Sequence, residues 1–283
     1  MSRFTQPSQD DSGHVLVARM DNAKSLSSLL KAVHFREVCT CFLSAQGLKV
    51  TVEQSKCVQA NAFIQASLFQ QFVYRSDASL AFKINLSALI ECLSIFGGGS
   101  GGQEGQHTAL KMCYMGYGSP LTLLLEESGV LTDCSIQTQD ADEVLDFDFC
   151  SSNVVNRVIL KADCVREVFA ELDMSSDSLE ILLSPSPPFC RLSTSGFAGT
   201  TQIDYPKDSD MMQVFECQET LQYKYRLALL KPCQKAVNQS TKISIRMDRR
   251  GFLSLQCMIL TNDKQVCFVE YLCVPDEDGS DVG

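Results

Sequence analysis

Two carboxylates one residue apart, Asp146 and Asp148 in the run "LDFDFC", are the side chains whose type and spacing come closest to catalytic chemistry. In an extended segment alternate residues share a side, so these acids face one way while Phe147 and Phe149 face the other. Paired carboxylates can hold a divalent cation for phosphodiester cleavage, and a 3′ to 5′ exonuclease using magnesium or manganese is one reading. The other is a connector with one wet and one buried face, favoured because no third or fourth acid stands at a supporting spacing. The three histidines, His14, His34 and His107, are not spaced with cysteine or carboxylate as a zinc site requires, and no Cys-x-x-Cys occurs. The stretch "FGGGSGGQEG", Phe96 to Gly105, lacks the Gly-Lys-Ser/Thr of a phosphate-binding loop and reads as a flexible loop. No metal and no cofactor are expected.

The elements around these residues occur twice, offset by about 140 positions, as two copies of one unit. An amphipathic helix, Asn22 to Val33, leads into the alternating segments "VCTCFLSAQGLKVTV" and "CVQANAFIQA". A second helix, Ala162 to Met174, leads into "SLEILLS", "PFCRLSTSG" and "GTTQIDY". Each copy then has another helix, Asn85 to Phe96 and Leu227 to Asn238. Strand pairs follow both, the later being "KISIRMD" and "FLSLQCMIL" across an Asp-Arg-Arg-Gly turn.

At 283 residues, 45% hydrophobic and 20% charged, the chain can build two cores of ordinary size. No run approaches the roughly 20 apolar residues of a membrane helix, and the N-terminus lacks the apolar core of a secretory signal, so an intracellular protein without a membrane role is expected. Fourteen cysteines are scattered singly through apolar positions, among them Cys57, Cys92, Cys113, Cys134, Cys164, Cys257 and Cys267, as buried reduced thiols are. The net charge of −10 argues against a protein that coats nucleic acid with cations, although a local contact is compatible with it. Much of the acid lies where solvated segments are expected: Asp10 and Asp11, Asp140, Asp142 and Glu143, and the tail "PDEDGSDVG".

The cations fall selectively. Ala23, Leu26, Leu29, Leu30 and Val33 share one side of the first helix, leaving Lys24 and Lys31 on the other. Near Pro232, Leu229, Cys233, Ala236 and Val237 share a side while Lys231, Lys235 and Asn238 point away, with Pro232 in the first helical turn. Arg166 is flanked by Asp163, Glu167 and Glu171, and the Asn85 helix offers only Glu91. Each polar face, taken alone, is also what an ordinary solvated helix presents.

Several segments together carry a resemblance: "KAVHFREVCTCFLSAQGLKVTVEQSKCVQANAFIQ", "INLSALIECLSIFG", "LDFDFCSSNVVNRVIL", "FAELDMSSDSLEI", "IDYPKDSD", and "RGFLSLQCMI" followed by "CFVEY". They span about Lys31 to Tyr271. The chain resembles sliding clamps of the PCNA type, most closely the Rad-one-type subunits of the heterotrimeric DNA-damage checkpoint clamp, the nine-one-one ring. That resemblance implies an α+β clamp fold of two similar domains, each with two inner helices and outer antiparallel sheets. It also implies a flexible N-terminus at 1–13, a first domain at 14–138, a connector at 139–152, a second domain at 153–275 and an acidic flexible tail at 276–283.

In such a ring the polar helix faces line a channel around duplex DNA. Lys24, Lys31, Lys231 and Lys235 become the DNA-facing cations, with Lys161 and Arg166 as weaker additions, all reading phosphate without sequence. Glu91, Glu167 and Glu171 imply weak affinity and holding by topology. The resemblance further implies an outer pocket beneath the connector for partner proteins, with Val58, Val144, Leu145, Phe147, Leu272, Val274 and Pro275 as candidates; each is equally readable as core. Ring closure pairs edge strands, for which "HTALKMCYM" and "SLEILLS" are the candidates. Implied partners are Rad-nine-type and Hus-one-type subunits, a clamp loader that uses ATP elsewhere, and repair and checkpoint signalling proteins in the nucleus. The expected function is non-catalytic: a ring subunit that encircles DNA and presents a platform. The exonuclease, or a homotrimeric replication-type clamp, is the alternative.

Overall fold

The computed structural model describes residues 9–96, 107–171, 175–197, 199–261 and 264–276. Most of the glycine-rich stretch, Met174, residues 1–8 and the tail from 277 lie outside the described residues. Contacts group the chain into two units, one of Met1–Val52, Asn61–Val144 and Thr261–Cys267, the other of Glu53–Ala60, Leu145–Leu260 and Phe268–Gly283. The main division, between Val144 and Leu145, falls inside the segment expected as a connector.

The first unit runs β1 (Leu16–Met20), α1 (Ala23–Ala32), β2 (Val38–Ser44), β3 (Gly47–Gln54), β4 (Val58–Gln65), β5 (Gln71–Tyr74), β6 (Leu80–Asn85), α2 (Leu86–Leu93), β7 (Ala109–Tyr114), β8 (Leu121–Glu127), β9 (Val130–Ile136) and β10 (Thr138–Asp140). One sheet has the order β5-β1-β7-β8-β9, and β10-β6-β2-β3-β4 follow one another in the second. β1 is buried along its whole length because it lies between β5 and β7. α1 and α2 pack on each other, and their leucines Leu26, Leu30, Leu86 and Leu89 are all at 2% exposure or less.

A flexible 1–13 is corrected where the residues are described. Gln9–Gly13 form a short 3-10 turn, and Asp11 is 7% exposed. Its carboxylate accepts from Arg19 at 2.9 Å and Lys111 at 2.6 Å, while Arg75 donates to the carbonyls of Asp11 and His14, both at 2.8 Å. A terminus tied by buried charge stays in place where a merely acidic one would be solvated.

The second unit repeats the first: β11 (Val154–Lys161), α3 (Ala162–Glu171), β12 (Ser178–Leu183), β13 (Cys190–Gly196), β14 (Gly199–Tyr205), β15 (Met212–Cys217), β16 (Leu221–Arg226), α4 (Leu227–Leu230), α5 (Gln234–Gln239), β17 (Ser240–Asp248), β18 (Leu253–Leu260) and β19 (Val266–Cys273). The strand order β19-β18-β17-β11-β15 matches that of β9-β8-β7-β1-β5, and β14-β13-β12-β16 matches β4-β3-β2-β6. The duplication read from the sequence is therefore a duplication of topology. Within this unit the hairpin tip Glu53–Ala60 lies beside the end of β19, where the Val274 N–H donates to the Cys57 carbonyl at 3.0 Å.

Two expectations change. The helix at Leu227–Asn238 is interrupted: α4 and α5 are joined by a 3-10 turn at Lys231–Cys233, because Pro232 has no N–H for the α-helical ladder. The buried stripe runs through Leu227, Leu230, Cys233, Ala236 and Val237, and Leu229 is only half-buried. The segments expected to be sheet edges are interior. β7 pairs with both β1 and β8, and β12 with both β13 and β16. The free edges include β9 and β14, whose alternate side chains are exposed.

The fourteen thiols are free. Of those singled out, Cys113, Cys164, Cys257 and Cys267 are buried and Cys57, Cys92 and Cys134 half-buried. Burial pushes Cys190, Cys257 and Cys273 up to about 12, which keeps them protonated and unreactive at neutral pH.

Gly251 closes the β17–β18 turn at φ +80°, and a Cβ there would meet the Tyr223 ring at 2.5 Å. Gly251→Ala is expected to lower stability by about 2 kcal/mol or more in urea unfolding, from strain and overpacking together. An unchanged midpoint would show that the ring moves aside freely.

Candidate nucleic-acid interface and connector

The first helix is positioned by its cap. The Asn22 side chain accepts from the Lys24 N–H at 3.1 Å, and Ala23, Leu26, Leu29, Leu30 and Val33 are each 1% exposed or less. With that stripe buried, Lys24 and Lys31 are exposed on the remaining face. In the second unit Lys231 and Lys235 are exposed in the same way, opposite Leu230, Cys233, Ala236 and Val237. Lys161, at the end of β11, is half-buried.

Arg166 is placed differently. Its guanidinium donates to the carbonyls of Val237 at 3.1 Å and Ser240 at 2.9 Å, and pairs with Asp163. It thus closes the end of α5, where unpaired carbonyls and the helix dipole favour a cation. Glu91 and Glu167 are exposed on α2 and α3. The helices thus present two exposed lysines in each unit, with the exposed acids Glu91, Asp163 and Glu167 on α2 and α3.

The connector is held by side chains from the hairpin tip and the β17–β18 turn. Glu53 Oε1 accepts from the Leu145 N–H at 2.9 Å and from Gln59 Nε2 at 2.7 Å, and Gln59 also donates to the Leu145 carbonyl at 2.9 Å. Both backbone groups of Leu145 are thereby satisfied. Phe147 is 5% exposed and meets Phe252 edge-on at 6.0 Å between centroids. Arg250 is fixed by the buried carboxylate of Asp248 at 2.8 Å and donates to the Asp148 carbonyl at 2.9 Å. Of the pocket candidates, Val58, Phe147 and Leu272 are buried, whereas Val144, Leu145, Val274 and Pro275 are half-buried. The first three act as core, and the other four carry the accessible apolar surface.

Asp146 and Asp148 are both exposed, but the segment is not extended throughout. Asp148 has φ +47°, its N–H is bound by the Asp146 carboxylate at 2.8 Å, and its own carboxylate lies 3.6 Å from Arg250. The pair forms a turn whose charges are used locally. Among the described residues no three His, Cys, Asp or Glu side chains group as metal ligands.

A family profile described as "Repair protein Rad1/Rec1/Rad17" matches residues 15–259. The chain belongs to the Rad1 family. It is 56% identical to the human "Cell cycle checkpoint protein RAD1" over 279 residues, 98% of each chain. It is 29% identical to the Schizosaccharomyces pombe "DNA damage checkpoint control protein rad1", covering 89% of this chain and 84% of the relative. A "DNA repair exonuclease REC1" of Mycosarcoma maydis is 28% identical over 220 residues, 59% of this chain and 48% of that protein. The α+β architecture of antiparallel sheets with few helices agrees with the clamp fold that this Rad1 membership brings.

In this Rad1-family chain the residues that sequence reasoning missed are Glu53, Gln59, Arg250 and Phe252. Arg250 lay inside a correctly read turn, yet its reach to Asp148, 102 positions away, leaves no periodic trace. Glu53 and Gln59 flank the turn "QSKC" and carried no signal beyond being polar at the end of a hairpin.

Proposed function

We propose that this chain is a non-catalytic subunit of a heterotrimeric ring that encircles duplex DNA in the nuclear DNA-damage checkpoint. Its outer surface serves repair and signalling proteins, and a clamp loader places it on DNA. The observation that carries this reading is the repeat with two open edges. The two units repeat one strand order, and β9 in the first and β14 in the second are edge strands of their sheets. A neighbouring subunit adds its own edge strand to β14 or β9, and three subunits close the ring. Domains at 14–138 and 153–275 around a 139–152 connector fit that reading, with Val144, Leu145, Val274 and Pro275 as the accessible part of the partner pocket.

Light scattering on the pure chain, and on the chain co-expressed with a Rad-nine-type and a Hus-one-type relative, tests the assembly. A monomer that becomes a one-to-one-to-one complex supports it. A homotrimer moves the reading to a replication-type clamp, and a monomer indifferent to both relatives removes the ring.

The lysines make a separate prediction. Changing Lys24, Lys31, Lys231 and Lys235 to glutamine should weaken retention of the assembled ring on linear DNA. The salt dependence of log K should flatten by up to about 0.9 for each lysine that meets a phosphate. Retention on closed circular DNA should change little, because topology holds it. An unaltered salt slope would remove these four residues from the channel.

The name of the Mycosarcoma relative is what favours an enzyme. A nuclease built on Asp146 and Asp148 would require added magnesium or manganese and would lose its activity in Asp146→Asn.

A further inference from the structure

On the second unit's sheet, Arg157 of β11 and Arg246 of β17 stand directly opposite each other. Like charges at such a position repel. Each arginine is drawn outward to an acid: Arg157 lies 3.3 Å from Glu216 on β15, and Arg246 pairs with Glu270 and donates to Ser254 at 2.9 Å. Neither acid bridges the two guanidiniums. The Arg246 guanidinium carbon stands over the Phe149 ring, 5.6 Å from its centroid, and its Nε is buried without a hydrogen-bond partner. A cavity of about 280 Å³ opens here, lined by both arginines together with Ser151, Val154, Val155, Gln218, Gln256 and Glu216, the acid that Arg157 already pairs with.

The first unit shows how this chain settles the same problem. On the corresponding strands β1 and β7, Arg19 and Lys111 also stand directly opposite, and the two oxygens of the Asp11 carboxylate take one cation each. The second unit has the cation pair and a cavity beside it, but no bridging acid of its own.

We infer that the Arg157–Arg246 cavity is a binding site for an oxyanion, the carboxylate or phosphate of an acidic side chain on a partner's peptide. Guanidinium forks recognise such planar or tetrahedral oxyanions bidentately. Its volume is about nine times the ~30 Å³ share of a liquid water, so it admits a side chain with its neighbouring peptide as well as the charged group. The serine and two glutamines supply neutral donors around the rim. The site does not depend on ring formation, and its test is independent of the assembly experiment.

The test follows the Arg246 Nε–H resonance of the full chain while blocked tripeptides with a central phosphoserine, aspartate or serine, and inorganic phosphate, are added at constant ionic strength. A saturable shift with the phosphoserine or aspartate peptide, absent with serine, is expected. Saturation by phosphoserine alone assigns the site to phosphate, and saturation by both shows that a carboxylate suffices. Arg157→Gln, at a side chain already 43% exposed, should weaken binding by about tenfold or more, with Arg157→Lys between the two. Inorganic phosphate binding as tightly as the phosphoserine peptide would mean an adventitious ion only and overturn the peptide occupant. No saturable shift, or equal affinity in Arg157→Gln, would overturn the site.

Discussion

Replacing Asp11 with alanine is expected to lower the unfolding free energy by about 3–5 kcal/mol, the cost of removing a buried acid that two cations share. The carboxylate is the bridge between Arg19 and Lys111, whose side chains are 10% and 12% exposed and which face each other across β1 and β7. Without it two desolvated cations repel at the centre of the first sheet, and salt screens them little at that depth. The same substitution loosens the Gln9–Gly13 turn, since Arg75 holds that turn through the carbonyls of Asp11 and His14. Urea unfolding followed by hydrogen exchange in β1 and β7 measures the effect. Adding Lys111→Met should recover part of the loss, because it removes one of the two facing cations. A loss below about 1 kcal/mol would mean that water reaches the triad and that it behaves as a surface ion pair.

Asp11 also shows where sequence reading stops. Its neighbours Asp10 and Ser12 are polar, and an acidic N-terminus reads as solvated; what buries it is a partner 100 positions away on β7. The helices were legible because their evidence is local: apolar residues at helical spacing predict both the element and the face that Lys24 and Lys31 leave exposed, while the caps formed by Asn22 and Asn85 emerge only in the structure. Strand existence was legible too, from alternation in "SLEILLS" and "FLSLQCMIL". Strand neighbours were not. β7 and β12 are mostly apolar and β9 and β14 mixed, and the expected edges were inverted because β7 and β12 are each hydrogen-bonded on both sides, while β9 and β14 have a neighbour on one side only. The candidate site divides along the same line. Exposed lysines follow from helical period, whereas the Glu53–Gln59 grip on Leu145 and the Arg250 tie to Asp148 depend on long-range pairing.

The second large effect concerns assembly. Val130 and Leu131 begin the free edge β9 and are 57% and 49% exposed, while Phe197, in the β13–β14 turn beside the free edge β14, is fully exposed. Apolar side chains of this size on an open strand edge lower affinity for water without contributing to the fold, and a neighbouring strand is what would cover them. Changing Val130 and Leu131 to lysine should leave the monomer's unfolding midpoint within about 0.5 kcal/mol of the parent, since exposed positions contribute little. It should nevertheless weaken one of the two ring junctions by about 30- to 100-fold, the loss of about 2–3 kcal/mol of buried anchor. Phe197→Ser should weaken the other junction and spare the first. Pairwise co-purification with each relative separates them: the β9 variant loses one neighbour, the Phe197 variant loses the other, and combining both leaves a folded monomer. If both variants were to lose the same neighbour, or neither, β9 and β14 could not be opposite ends of one ring-forming subunit. The closing edges would then have to be sought at β5 or β16, the remaining free strands of these two sheets.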